Sequence, residues 1–108
     1  MVYFEATSSE KFDQLFNKYK SHKVIIFVSS ITSPECKKIL PSFKASASSH
    51  KEIIHIQVDI MHCFESKIIS DNINHVPLFL FYKKGKQIDS LVGVNTNSYN
   101  KKVIAFSK

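Results

Sequence analysis

Ser33, Cys36, His62, Cys63 and His75 are the side chains whose types and placement could do chemistry, and Pro34 shows where the first two lie. Ser33-Pro34-Glu35-Cys36 follows an apolar run, and Cys36, Ile39, Leu40 and Phe43 then recur at i, i+3, i+4 and i+7. A proline is well placed in the first turn of a helix, so Ser33 stands at a helix N-terminus and Cys36 one turn inside. At such a terminus the unpaired N–H donors and the helix dipole draw a cysteine toward thiolate, whereas a serine hydroxyl stays protonated and caps the helix. Ser33 therefore reads as a cap rather than a nucleophile, since no histidine near it in sequence supplies a base. Cys36 has two readings. It is a half-buried core thiol on its apolar stripe, or a single reactive thiol that can be glutathionylated or donate one ligand to an iron–sulfur cluster.

His62-Cys63 could be half of a zinc site, but His22, His50, His55 and His75 show no ligand spacing, and no metal is expected. Cys63 reads instead as a loop thiol open to oxidation or intermolecular disulfide formation. His75 either tunes Cys36, contacts a partner or is an ordinary exposed loop histidine. Two cysteines so far apart form neither a CxxC nor a disulfide framework, which points to a reducing compartment.

The chain has 108 residues, 44% apolar and 22% charged, with two glycines and three prolines. That is the size and composition of a single packed domain, residues 1–108, and it excludes a two-domain enzyme. Its net charge of +6 comes from lysine alone, with no arginine. Nucleic-acid readers lean on arginine forks, so dispersed lysine reads as solvated surface and no nucleic-acid partner is expected. Met1 to Glu5 lacks the basic and apolar regions of a signal peptide, and no apolar run approaches the roughly eighteen residues of a membrane span. A cytoplasmic protein without a membrane partner is expected.

Val2 to Glu5 is a short strand candidate, and Thr7 with Glu10 has the spacing of a capping box ahead of the stripe Phe12, Leu15, Phe16 and Tyr19. Val24 to Val28 is an unbroken β-branched and aromatic run, which marks a strand covered on both faces. The helix opened by Pro34 should kink at Pro41. Ile53 to Asp59 reads as a strand, and Phe64 to Ser70 as a short helix. Leu78–Tyr82 and Gln87–Val92 form a hairpin through Lys83-Lys84-Gly85-Lys86, and Asn97 or Ser98 caps a last helix carrying Tyr99, Val103 and Ile104. The order βαβαβαββα is an α/β sandwich with a mixed sheet.

These residues together resemble the thioredoxin superfamily, whose signature is a buried strand, a W-C-x-x-C loop at a helix start and a proline five residues after the second cysteine. Cys36 and Pro41 have that spacing. The resemblance continues through Val58-Asp59, through His75-Val76-Pro77 and Leu78 to Tyr82 with the cis-proline position at Pro77, and through Lys84-Gly85 and Val92-Gly93. It implies the thioredoxin fold, a central mixed sheet flanked by helices. Ser33 then replaces the nucleophilic cysteine, Cys36 is the surviving resolving position, and Ile31 and Thr32 replace the tryptophan. The buried acid of the central strand is matched by Ile26 and a nearby lysine by Gln57, which removes the means of proton transfer.

A small-x-x-Cys motif is similar to the amino-terminal domain of multidomain monothiol glutaredoxins, proteins of iron homeostasis whose appended domain carries C-G-F-S. This chain contains no such motif. The resemblance implies a redox-degenerate module, linked to cell redox or iron–sulfur homeostasis, that binds a protein or peptide in a groove formed by Thr32, Pro34, Glu35, Val76, Pro77 and Gly93. The alternative is a monothiol oxidoreductase using Cys36 for mixed disulfides. No cofactor is expected in the first case, and glutathione in the second.

Overall fold

The computed structural model describes residues 3–108. Five strands form one sheet in the order β1-β3-β2-β4-β5: β1 (Tyr3–Ala6), β2 (Lys23–Ser29), β3 (Ile53–Asp59), β4 (Leu78–Lys83) and β5 (Lys86–Val92). The first three run parallel, and β4 and β5 are antiparallel additions. The expected first strand is present from Tyr3, and Val2 lies outside the described residues. The unbroken apolar run of β2 is explained by its central place. Val24, Ile26 and Val28 face one helical layer, while Ile25 and Phe27 face the other.

The first layer holds α1 (Ser9–Tyr19), α3 (Ile60–Cys63) and α4 (Lys67–Asn72), which contribute Phe12, Phe16, Cys63 and Ile69 to its core. The second holds α2 (Pro34–Ser49) and α5 (Thr96–Ser107), through Cys36, Ile39, Phe43, Tyr99, Val103 and Phe106. The α/β sandwich with a mixed sheet is thus as expected.

Several local expectations are corrected. The cap of α1 is Ser8, whose hydroxyl accepts from the Lys11 N–H at 3.0 Å, and Glu10 accepts from Gln14 instead of closing a box with Thr7. Hydroxyls stand at 7, 8 and 9, so burying Phe12 and Phe16 selects among them. The helix expected over Phe64–Ser70 is α4, which starts later, at Lys67, and a separate short helix, α3, precedes it. Asp59 caps α3, and the buried Ser66, which donates to Asp13 at 2.7 Å, pins the break against α1. Asn95, not Asn97 or Ser98, caps α5 by accepting from the Ser98 N–H at 2.9 Å. Helix α2 runs from Pro34 to Ser49 with Pro41 inside it at an exposed position.

The hairpin turn is tighter than the four-residue connection expected. Lys83 pairs with Lys86, leaving Lys84 (φ 52°) and Gly85 (φ 79°) as two left-handed residues whose twist matches the flanking strands.

Candidate functional site

Strand register gathers the site. Ser29 lies opposite Asp59, Val28 opposite Leu78, and Leu78 opposite Val92. The loop after β2, the start of α3, the Val76-Pro77 turn and Gly93 therefore emerge at one end of the sheet. The Val76–Pro77 peptide is cis, as the resemblance implies, and the Pro77 carbonyl accepts from the Gly93 N–H at 2.9 Å. Val76 packs against the core cluster that contains Cys36, while Thr32, Pro34 and Glu35 are exposed.

Ser33 is the N-cap of α2. Its extended backbone (φ −91°, ψ 117°) aims Oγ at the first turn, where it accepts from the Cys36 N–H at 3.3 Å and donates to Glu35 Oε2 at 3.2 Å. Both roles of the hydroxyl are taken, and no histidine is among its hydrogen-bond partners. Cys36 is 4% exposed, with its sulfur accepting from the Ser30 N–H at 3.4 Å. The described residues hold no cluster of three metal-ligating side chains.

The loop is anchored by Asp59, which the sequence marks only as the end of a strand. Asp59 accepts from the Ile31 N–H at 3.0 Å through one oxygen and from the Met61 N–H at 2.8 Å through the other. One carboxylate thus ties the loop to the sheet and caps α3. Its position, an aspartate between a β-branched run and a new helix, is the sequence signal of an N-cap. Ser30 was legible only as a loop residue, because its bond to Cys36 is made by backbone.

Of the β2 residues, Ile25 and Phe27 share the face of Cys36, whereas Ile26 points into the opposite layer among Val24, Val28 and Ile56. The expected match at Ile26 is thus corrected by the alternation of the strand. Gln57 lies opposite Phe27 in register and is engaged at both ends, by the Tyr3 hydroxyl and, at 3.5 Å, by Ser29. Desolvation, first among the causes, pushes the Tyr3 hydroxyl up to about 12, so it stays protonated as a donor.

A recess of about 180 Å³ adjoins Cys36, lined also by Ser30, Ile31, Lys37, Leu40 and Gln57. Gln57 of β3 lines it, and none of Thr32, Pro34, Glu35, Val76, Pro77 or Gly93 does. Ile31 stands 67% exposed at its rim.

Cys63 is fully buried rather than the loop thiol expected. It closes α3 in the other core layer, donates to the Ala6 carbonyl at 3.6 Å, and burial pushes its thiol up. His62 is exposed, 4.0 Å from Asp59, and His75 is an exposed loop residue.

The strand order, the helix-capping loop bearing Cys36 and the cis-proline ahead of β4 define a thioredoxin-fold domain. The thioredoxin family profile matches residues 3–105, and the chain belongs to that family. It is 31% identical over 83 residues to a TPR repeat-containing thioredoxin TDX of Oryza sativa subsp. japonica, covering 77% of this chain but 26% of that protein. It is 32% identical over 99 residues to a putative thioredoxin H10 of Arabidopsis thaliana, covering 89% of this chain and 63% of the relative. The chain thus spans less than two thirds of each. The crystal structure of oxidized thioredoxin O1 from Arabidopsis thaliana superposes with a TM-score of 0.87 at 20% identity and complete coverage of both chains, which supports the fold. No helix among the described residues is long and apolar enough to cross a membrane.

Proposed function

We propose that this domain keeps the recognition surface of its family and has lost dithiol disulfide reduction, serving as a protein- or peptide-binding module linked to cell redox or iron–sulfur homeostasis. The observation that carries the reading is that Ser33 Oγ is spent on the Cys36 N–H and Glu35, at the position where the resemblance would put the attacking thiol. Reducing a disulfide takes two electrons. A thiolate attacks one sulfur and expels the other as a thiolate, then a second thiolate breaks the mixed disulfide and closes a new S–S bond. This chain offers Cys36 alone on that face. Partner binding needs none of this, because an extended chain is held by backbone and apolar contacts.

The test uses a peptide that can bind but not react, S-methylated insulin B chain, added to the isotope-labelled protein. Amide shifts at Thr32, Glu35, Val76 and Gly93 are expected. Saturating peptide without shifts there would overturn the groove assignment.

A second reading is favoured by the Ser30 N–H aimed at Cys36 Sγ and by the recess beside it. Here the Cys36 thiolate attacks the glutathione sulfur of a glutathionylated protein, expelling the protein thiolate and leaving Cys36 in a mixed disulfide with glutathione; a second glutathione then breaks that bond, releasing reduced Cys36 and glutathione disulfide. Rapid alkylation of Cys36 in the native state, with catalysed deglutathionylation, would establish that reading. Slow alkylation until unfolding favours the binding module.

A further inference from the structure

We propose that the sheet end remote from Cys36 docks an extended acidic polypeptide segment. Lys23 opposite Lys83 and Lys83 opposite Lys86 place this end about 20 Å from the Cys36 loop, six residue steps along β2. A recess of about 660 Å³ lies there between the end of α1 and the hairpin turn, lined by Phe16, Asn17, Lys20, Ser21 and the turn residues Lys84 to Lys86.

Three lysines, Lys20, Lys84 and Lys86, line the recess, and no acidic residue does. None of the three is in an ion pair among the described residues. Asp71, whose charge reaches Tyr82 nearby, is already held by Lys67 at 3.2 Å. The carboxyl end of α1 contributes a partial negative charge of about half an elementary unit, against three full positive ones. The balance favours an anion.

Two features favour a polypeptide over a small anion. Phe16, otherwise buried in the core, lines the recess and offers a small apolar contact to a hydrophobic side chain held between flanking carboxylates. The outer edge of β5, the last strand in the order, has no strand beside it among the described residues and starts at Lys86, so an extended segment leaving the recess meets an unpaired sheet edge. This site is independent of the loop around Cys36, and its failure would leave the reading of that loop untouched.

The probe is a short glutamate-rich peptide with a central leucine, compared with its glutamine counterpart and with inorganic tripolyphosphate, at low ionic strength. With the labelled full chain, the glutamate peptide should shift the amides of Asn17, Lys20, Ser21 and Lys84 to Gln87 and leave Thr32 and Val76 in place. Added salt should weaken it, and the combined variant Lys20→Glu, Lys84→Glu, Lys86→Glu, at exposed positions, should lose at least about tenfold in affinity while unfolding at an unchanged temperature. Equal binding of the glutamine peptide, undiminished binding by the variant, or shifts at the Cys36 loop would overturn the proposal. So would tripolyphosphate occupying the recess while the glutamate peptide does not.

Discussion

Cys36 and Cys63 are packed on opposite faces of the five-stranded sheet, each in a different core layer. A disulfide needs Cα atoms within about 7 Å, and the sheet stands between these two. Mild oxidation of the folded monomer should therefore leave no intramolecular bond, read as an intact mass without the loss of two hydrogens. Cys63, fully buried, should resist alkylation until denaturant is added. An internal disulfide in folded protein would contradict the layer assignment.

Ser33 contributes to stability through its cap. Ser33→Ala leaves the Cys36 N–H without its acceptor and should lower unfolding free energy by about 1 kcal/mol in a urea titration. A change within a few tenths of a kcal/mol would show that the hydroxyl is not the cap.

Acid should destabilise the fold through His55, which lies fully buried on β3. Its Nδ1 donates to the Ile53 carbonyl at 3.0 Å, and its Nε2 lies 2.8 Å from Ser46 Oγ, which is also 2.8 Å from the Phe43 carbonyl and 2.6 Å from the Tyr99 hydroxyl. Burial holds His55 down at about 4 from the ordinary 6.5; His50 adds to that lowering, while the Ile53 bond and Glu52 partly oppose it. Between those values the unfolded chain binds a proton that the folded one does not, so stability falls as pH drops from 6.5 to 4. The loss is on the order of 3 kcal/mol. His55→Phe should flatten this part of the profile. An unchanged acid slope in that variant would place the effect elsewhere.

Asp59→Ala should release the loop from the sheet. The amides of Ile31 and Met61 both lose their acceptor, so their hydrogen exchange should speed up by about tenfold or more while the β2 core keeps its protection. Unchanged exchange at Ile31 would remove Asp59 from the loop's support.

The fold was legible because its signals were redundant. The run Val24 to Val28, the stripe from Cys36 to Phe43 and the Lys84-Gly85 turn each admit few structures. Cap positions were less legible, since neighbouring hydroxyls and amides are chemically alike and burial chose between them, as at Ser8 and Asn95. At the site, the cap at Ser33 could be read from Pro34. The facing of Phe27 rather than Ile26 depends on strand phase, which a run apolar on both faces conceals. Burial of Cys63 and the chain His55–Ser46–Tyr99 join elements distant in sequence, and no local pattern announces them.

The central claim is that one thiol on the site's face cannot complete disulfide reduction. Insulin reduction, followed by precipitation of the freed B chain with dithiothreitol or thioredoxin reductase as electron source, tests it most directly. The account predicts a rate indistinguishable from the reductant alone, with Ser33→Cys raising it above that background. Turnover by the unaltered chain comparable to a dithiol thioredoxin would contradict it.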